Sequence, residues 1–324
     1  MKIKLKISVL LSFFMFNLLS VSSIAQEKDS LKQLSHEKRL IGRFYFSKKY
    51  TTLQFKSDDH QTFKYRPSTT LNMGVGATYK WATLNLAYGF DFLNPNRKTK
   101  GNTQYLDLQF HTTFSNKFII DGFGEFYRGF ATKLEKNEPY YLRPDIRVNV
   151  VGAEIMKVMN NNHFDIRPPT MSHYINQYSG YSILLGSEII VGSIMGDSSL
   201  VPVRLGTDPS FSYDKVFFTK IAPSIGVGFK LVILKHFILD GGVSTALALG
   251  YTKTDFTNGN TFTEFYFKPD FNIRLFAGIM LGNWNIGCSL FNQRTRFLSN
   301  NKNSSINMDI GNMRFVISYR INHN

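Results

Sequence analysis

Seven acids and seven bases stand inside runs that otherwise read as apolar strands. The acids are Asp107, Asp121, Glu125, Glu154, Glu188, Asp240 and Asp270; the bases are Lys80, Lys220, Lys230, Lys268, Arg274, Arg314 and Arg320. Their immediate neighbours are chiefly apolar, so in an extended chain each charge falls on the opposite face from those neighbours. Two kinds of chemistry suit this pattern. Charge rings line a solute pathway, or opposite charges pair inside a filled interior, because an unpaired buried charge is costly. Catalysis fits less well. His111 shares a face with Asp107, and His163 stands near Asp165, but Gly-x-Ser-x-Gly is absent. No catalytic residue is assigned, and the chain is not expected to be an enzyme. His163, Asp165 and His173 lack a fourth ligand at diagnostic spacing, so no metal or cofactor is expected. Gly74-x-Gly76, Gly122-x-Gly124 and Gly226-x-Gly228 open no helix and are not nucleotide loops. Cys288 is the single cysteine, which excludes an intrachain disulfide.

The elements that must hold these charges alternate with a period of two. Val216–Leu234 puts Phe217, Ile221, Ile225, Val227 and Phe229 on one face, against Lys220, Ser224, Gly226, Gly228 and Lys230 on the other. A tilted strand needs about 9–11 residues to cross a bilayer, and this run exceeds that. Pro223 has no N–H to give a ladder, which predicts a bulge there. Similar alternation marks Leu71–Trp81, Thr83–Phe90, Gln104–Phe114, Phe118–Phe130, Ser179–Ser193, Phe237–Tyr251, Thr261–Leu281, Trp284–Phe297 and Asn307–Ile321. Lys49–Lys56 supplies a first strand. Asp145–Met156 changes phase near Val150–Val151, which predicts a second bulge. The sum is an all-β chain: an antiparallel transmembrane β-barrel of about 12 strands, or 14 if residues 163–178 add two. Short turns fall at the periplasmic end and long loops outside, with Leu298–Ile306 among the loops.

Lys2, Lys4 and Lys6 precede the apolar Ile7–Leu19, and small residues Ser23 and Ala25 precede Gln26. That is the form of a cleaved signal peptide over residues 1–25. Its removal takes away three lysines and no acid, which lowers the net charge from +15 to +12. Export makes nucleic acid an unsuitable partner for this charge. Residues 26–48 are expected to form a periplasmic tail and residues 49–324 the barrel. The expected location is the outer membrane of a Gram-negative bacterium, with lipid and lipopolysaccharide as neighbours. The amphipathic last strand, Met313–Ile321, resembles the signal read by barrel-assembly machinery, although the chain ends in Asn324.

From Tyr65-Arg66-Pro67 onward the chain resembles a family of Bacteroidota outer-membrane proteins catalogued as a domain of unknown function. The residues that carry this are YRPSTTLNMGVGATYKW (65–81), YLDLQF (105–110), FYRGF (126–130), YLRPDIRVN (141–149) and QYSGYSILLGSEI (177–189). The resemblance implies an outer-membrane barrel and no assigned activity. The first functional reading is a porin-like channel for a small polar or anionic solute. The alternative is a non-conducting barrel that is structural or binds through its outer loops; the second alternative is an enzyme acting on lipid or lipopolysaccharide. Lumen-lining candidates are Lys80, Asp107, His111, Asp121, Glu125, Glu188, Lys230, Asp240, Lys268, Asp270, Arg274 and Arg314. Residues 163–178 resist assignment as a strand, since Pro168 and Pro169 exclude a central ladder. They are expected to fold into the lumen or remain periplasmic, with Arg167, Pro168, Pro169, His173 and Tyr174 as plug candidates.

Overall fold

A computed structural model describes residues 40–56, 62–79, 82–94, 101–114, 117–134, 138–160, 164, 179–202, 212–299 and 301–321. The signal-peptide reading and the plug candidates lie outside these residues. The described chain is β1 (Leu40–Lys56), β2 (Thr62–Tyr65), β3 (Leu71–Tyr79), β4 (Ala82–Tyr88), β5 (Gln104–Phe114), β6 (Phe118–Thr132), β7 (Tyr141–Val158), β8 (Gly180–Met195), β9 (Tyr213–Ile233), β10 (Phe237–Phe256), β11 (Thr261–Leu281), β12 (Trp284–Ser299) and β13 (Asn301–Ile321). Twelve of these form one antiparallel sheet in the order β4-β3-β1-β13-β12-β11-β10-β9-β8-β7-β6-β5, and the short β2 adds to β1. The sheet curls until side chains meet across it. Gln293 on β12 donates to Glu188 on β8 at 2.7 Å, and Thr51 on β1 donates to Glu125 on β6 at 2.6 Å.

The two faces follow the period of two. On β9, Ile221, Ile225 and Val227 are at least half exposed, while Phe218, Lys220, Ala222 and Lys230 are buried inside. Outward side chains around the wall, among them Leu86, Leu106, Val151, Ile189, Leu249 and Phe271, are apolar and exposed. So large an apolar exterior suits lipid, not water. Aromatics flank the band at both ends. Tyr79, Tyr181, Trp284 and Tyr319 lie at the end of the tight turns, and Tyr88, Tyr141, Phe265 and Phe267 lie toward the loops. Such girdles are where amphipathic rings meet the membrane interfaces. Cys288 is exposed on this exterior, between Ala277 and Phe315 of the neighbouring strands. In the bilayer-embedded protein a lipid-soluble maleimide is expected to label it, and a charged water-soluble one is not. Equal labelling by both would place this face in water.

Several expectations are corrected. Residues 40–48 are no tail: they are the first half of β1, paired with β13 from Leu40↔Ile321 onward. Ile41, Arg43, Tyr45 and Ser47 are buried inside, alternating with more exposed neighbours. Pro223 makes no bulge. The β9–β10 pairing lapses between Ser224↔Ala246 and Ile221↔Leu249 and resumes in the same register, so the missing N–H leaves a gap and no extra residue. The phase change expected near Val150 is absent, since Ile146 to Val158 alternate without a break. The irregularity is on the partner, between Arg128 and Phe130, where Gly129 has φ 93°. That conformation favours glycine.

Tight turns occur at both ends. Gly282 and Asn283 join β11 to β12, with Gly282 at φ 60°, but Thr257–Asn260 also joins β10 to β11 at the loop end. The ladder of β12 and β13 continues through Leu298↔Ser305, where a loop was expected. Finally, the expected closure is incomplete: among the described residues β4 and β5 share no ladder. β4 has only seven residues. The seam is bridged instead by the β-bridge Arg66↔Ala131, Ser68 N–H to Thr103 Oγ1 at 2.7 Å, Tyr105 to Thr70 at 2.6 Å, and Lys49 to Asp107 at 2.5 Å.

Candidate functional site

The interior has three zones, set by which residues the strands turn inward. The loop half is apolar. Leu53, Phe55, Tyr65, Ile146, Ile190, Val216, Phe218, Tyr266 and Phe297 form one buried cluster with further residues of the surrounding strands. The Phe218 and Phe297 ring centroids are 4.0 Å apart. Close packing needs glycine across the ladder. A Cβ on Gly250 would stand 2.1 Å from the Tyr266 ring, and one on Gly192 would stand 2.5 Å from Phe218. The segment after β8 folds over this cluster, with Leu200 and Val201 buried in it. Arg143 fastens that segment, donating to the Ser199 carbonyl at 2.7 Å and to both oxygens of Asp145.

Below the apolar zone lies a buried ionic layer. Lys220 reaches Glu188 at 2.5 Å and Asp270, and donates to Thr295 at 3.2 Å. Its side chain is 0% exposed, and the two carboxylates are 1% and 0% exposed. Nearer the turns Arg274 spans from β11 to Asp121 on β6 and Glu154 on β7, each at 2.5 Å. Asp121, Glu154 and Glu188 stand opposite one another on three adjacent strands. Arg274 and Lys220 come from the facing wall and from β9, so acids and bases meet across the interior. Lys230 pairs with Asp240 at 3.1 Å.

The third zone is a cavity of about 270 Å3 in the turn-side half, bounded by Ile119, Met156, Leu184, Phe276 and Phe291. Ile119, Met156 and Leu184 also form a small cluster with Phe164, which is 2% exposed. Phe164 is the one described residue of 163–178, and it is buried.

The sequence-derived candidates sort as follows. Asp121, Glu125, Asp240, Arg274 and Arg314 line the cavity. Glu188 and Asp270 hold Lys220, while Asp107 meets Lys49. Lys268 is partly exposed on β11, two residues from Asp270. His111 stands opposite Asp121 in the β5–β6 register. Its side chain and all of Lys80 lie outside the described residues. Sequence reasoning missed Arg43 and Tyr45 because it placed the start of β1 too late; Lys49 and Thr51 lay inside the expected strand but were not singled out, since their partners Asp107 and Glu125 stand on distant strands. The signal was present in the alternation Ile41, Arg43, Tyr45, Ser47. It also left the amides Asn272, Gln293 and Asn312 out of the candidates, although Asn272 shares the inward face of β11 with Asp270 and Arg274, because amides carry no charge to draw the eye. The arrangement can hold a small molecule with charged ends in the turn-side cavity, beneath a loop half filled by buried apolar side chains.

The family model described as "Domain of unknown function (DUF4421)" matches residues 33–321. Among solved structures the chain is similar to the outer-membrane protease OmpT from Escherichia coli, at 10% identity, over 88% of this chain and 97% of that one, with a TM-score of 0.40. It is similar to the translocator domain of the autotransporter NalP from Neisseria meningitidis, at 11% identity, over 98% of each chain, with a TM-score of 0.38. The β-domain of the Bordetella autotransporter BrkA is similar at 9% identity, over 88% of this chain and 100% of that one, with a TM-score of 0.38. No curated protein matches the sequence.

Proposed function

The chain belongs to the DUF4421 family, whose description assigns no activity, and from that premise we propose an outer-membrane barrel whose lumen is closed by its own side chains, so that it binds a small molecule inside and does not conduct. The observation that carries this is the apolar cluster across the loop half, continuous from Leu53 on β1 through Ile190 and Phe218 to Phe297 on β12. An ion crossing it would shed its water among groups that offer no replacement, and a narrow apolar section also tends to dewet. The ionic layer beneath adds no pathway, because Lys220, Glu188 and Asp270 satisfy one another. This filling favours the closed reading over the small-solute channel. The apolar exterior and its two aromatic girdles support the outer-membrane location, with lipid around the wall.

Planar-bilayer recording of the purified, folded protein tests the proposal. The expected result is insertion with no unitary conductance. Stable unitary openings of the unmodified protein would return the channel reading to first place.

A further inference from the structure

The turn-side cavity contains more polar capacity than its own residues use. Glu154 is 7% exposed; its Oε2 is held by Arg274 at 2.5 Å, and its Oε1 is buried with no hydrogen-bond partner among the described residues. Asn272 and Asn312 are 4% and 9% exposed, and each buries an Oδ1 in the same condition. On the opposite wall Arg314 lies over the Tyr45 ring at 4.7 Å. It has no hydrogen-bonded or ion-paired partner among the described residues, and its Nε is buried. All four line the one cavity. Glu154 is on β7 and Arg314 on β13, with five strands between them in the sheet order. Buried polar groups are nearly always satisfied, and an orphan invites a ligand, ion or water. Here the orphans have opposite signs on facing walls.

We propose that this cavity binds a small zwitterion with an apolar body, of the size of an amino acid. Its ammonium group meets Glu154 Oε1, its carboxylate meets Arg314, and Phe276, Phe291, Ile119 and Met156 cover the apolar part. Asn272 and Asn312 present an amide oxygen to the ammonium or, turned over, an amide nitrogen to the carboxylate. A cavity of about 270 Å3 suits one such molecule, just below the range of about 300–1,000 Å3 usual for drug-sized ligands. A simple anion would leave Glu154 unanswered, and a simple cation would leave Arg314 so. The inference rests on the closed-barrel reading for its lack of a through path, but not for its chemistry.

The test uses full-length protein in detergent and four probes with one side chain: leucine, N-acetyl-leucine, leucinamide and N-acetyl-leucinamide. Calorimetric titration is expected to give leucine at least tenfold tighter binding than either singly charged probe, and no binding of the neutral one. Arg314→Gln is expected to weaken leucine at least tenfold and leave leucinamide unchanged. Glu154→Gln is expected to weaken leucine and leave N-acetyl-leucine unchanged. If either variant fails to fold, Asn312→Leu replaces it and is expected to weaken leucine and the one singly charged probe that carries the end Asn312 meets; unchanged binding of all the probes would overturn the proposal. Equal binding of leucine and N-acetyl-leucine would overturn the proposal in favour of a plain anion site. Binding of none of the four would mean that water alone answers the orphan groups, which also overturns it. Conductance of the same preparation separates the two readings. Binding with unitary openings sinks the closed lumen and keeps the site, whereas a silent barrel that binds none of the four keeps the closed lumen and sinks the site.

Discussion

Replacing Lys220 by methionine is expected to cost the fold about 3–5 kcal/mol, the usual loss when one partner of a buried ion pair is removed. The reason is local. Lys220 is fully enclosed and is the cation that Glu188 and Asp270 share. Without it, two carboxylates remain buried, held by neutral donors: Gln293, donating to Glu188 at 2.7 Å, and the Arg296 N–H, donating to Asp270 at 3.2 Å. The triple variant Lys220→Met, Glu188→Gln, Asp270→Asn removes all three charges together. It is expected to recover most of the loss, since replacing a whole buried network by neutral groups is often neutral or better. Urea unfolding in lipid vesicles measures both. A Lys220→Met protein within about 1 kcal/mol of wild type would mean that water reaches this layer, for an exposed pair contributes no more than that.

Phe297→Ala is the second large effect. Phe297 is 0% exposed, and its ring packs on Phe218, also 0% exposed, and edge-on to Tyr266. Truncating a buried phenylalanine costs about 3–5 kcal/mol through lost burial and the void left behind. Phe218→Ala is expected to cost a similar amount. The double variant is expected to cost less than the sum, because the two rings border one another and their voids merge. That merged space also breaks the apolar zone at its tightest contact. The double variant is therefore expected to show unitary conductance in planar bilayers where the parent shows none. A double variant that folds and stays silent would place the barrier in another part of the cluster or in the ionic layer.

How much of this was legible in the residues differs from zone to zone. In β9 and β11 the faces of Lys220, Lys230, Lys268, Asp270 and Arg274 could be read, since Phe229 beside Lys230, or Phe271 beside Asp270, marks which side meets lipid. The start of β1 was harder. Lys48, Lys49 and the charged stretch before Leu40 obscure the alternation of Ile41 to Ser47, and pairing with β13 is a long-range fact no local pattern encodes. The apolar loop half was illegible for a different reason. Where strands rise beyond the lipid around an apolar interior, both faces favour large side chains. Phe217 and Phe218, or Tyr266 and Phe267, then stand side by side; the period of two places the outward Phe217 and Phe267 but does not show that the inner face, with Phe218 and Tyr266, is apolar as well. Pairings such as Arg274 with Glu154, 120 residues apart, follow from curvature of the sheet and not from spacing.

The unpaired seam bears on how the molecule is built. β5 to β13 form an uninterrupted meander in which each strand pairs with the next in sequence, so this part can grow hairpin by hairpin as the chain is delivered. β1, β3 and β4 form a separate three-stranded flap. It joins the meander through the β1–β13 ladder, which runs from Leu40↔Ile321 to Lys56↔Ser305 and closes the longest loop in the chain. Such a distant pairing is slow to find. The flap is therefore expected to dock last, with Lys49–Asp107 and Tyr105–Thr70 as the latch on the far side; in refolding followed by hydrogen exchange, β1 and β3 should gain protection after β9 to β11.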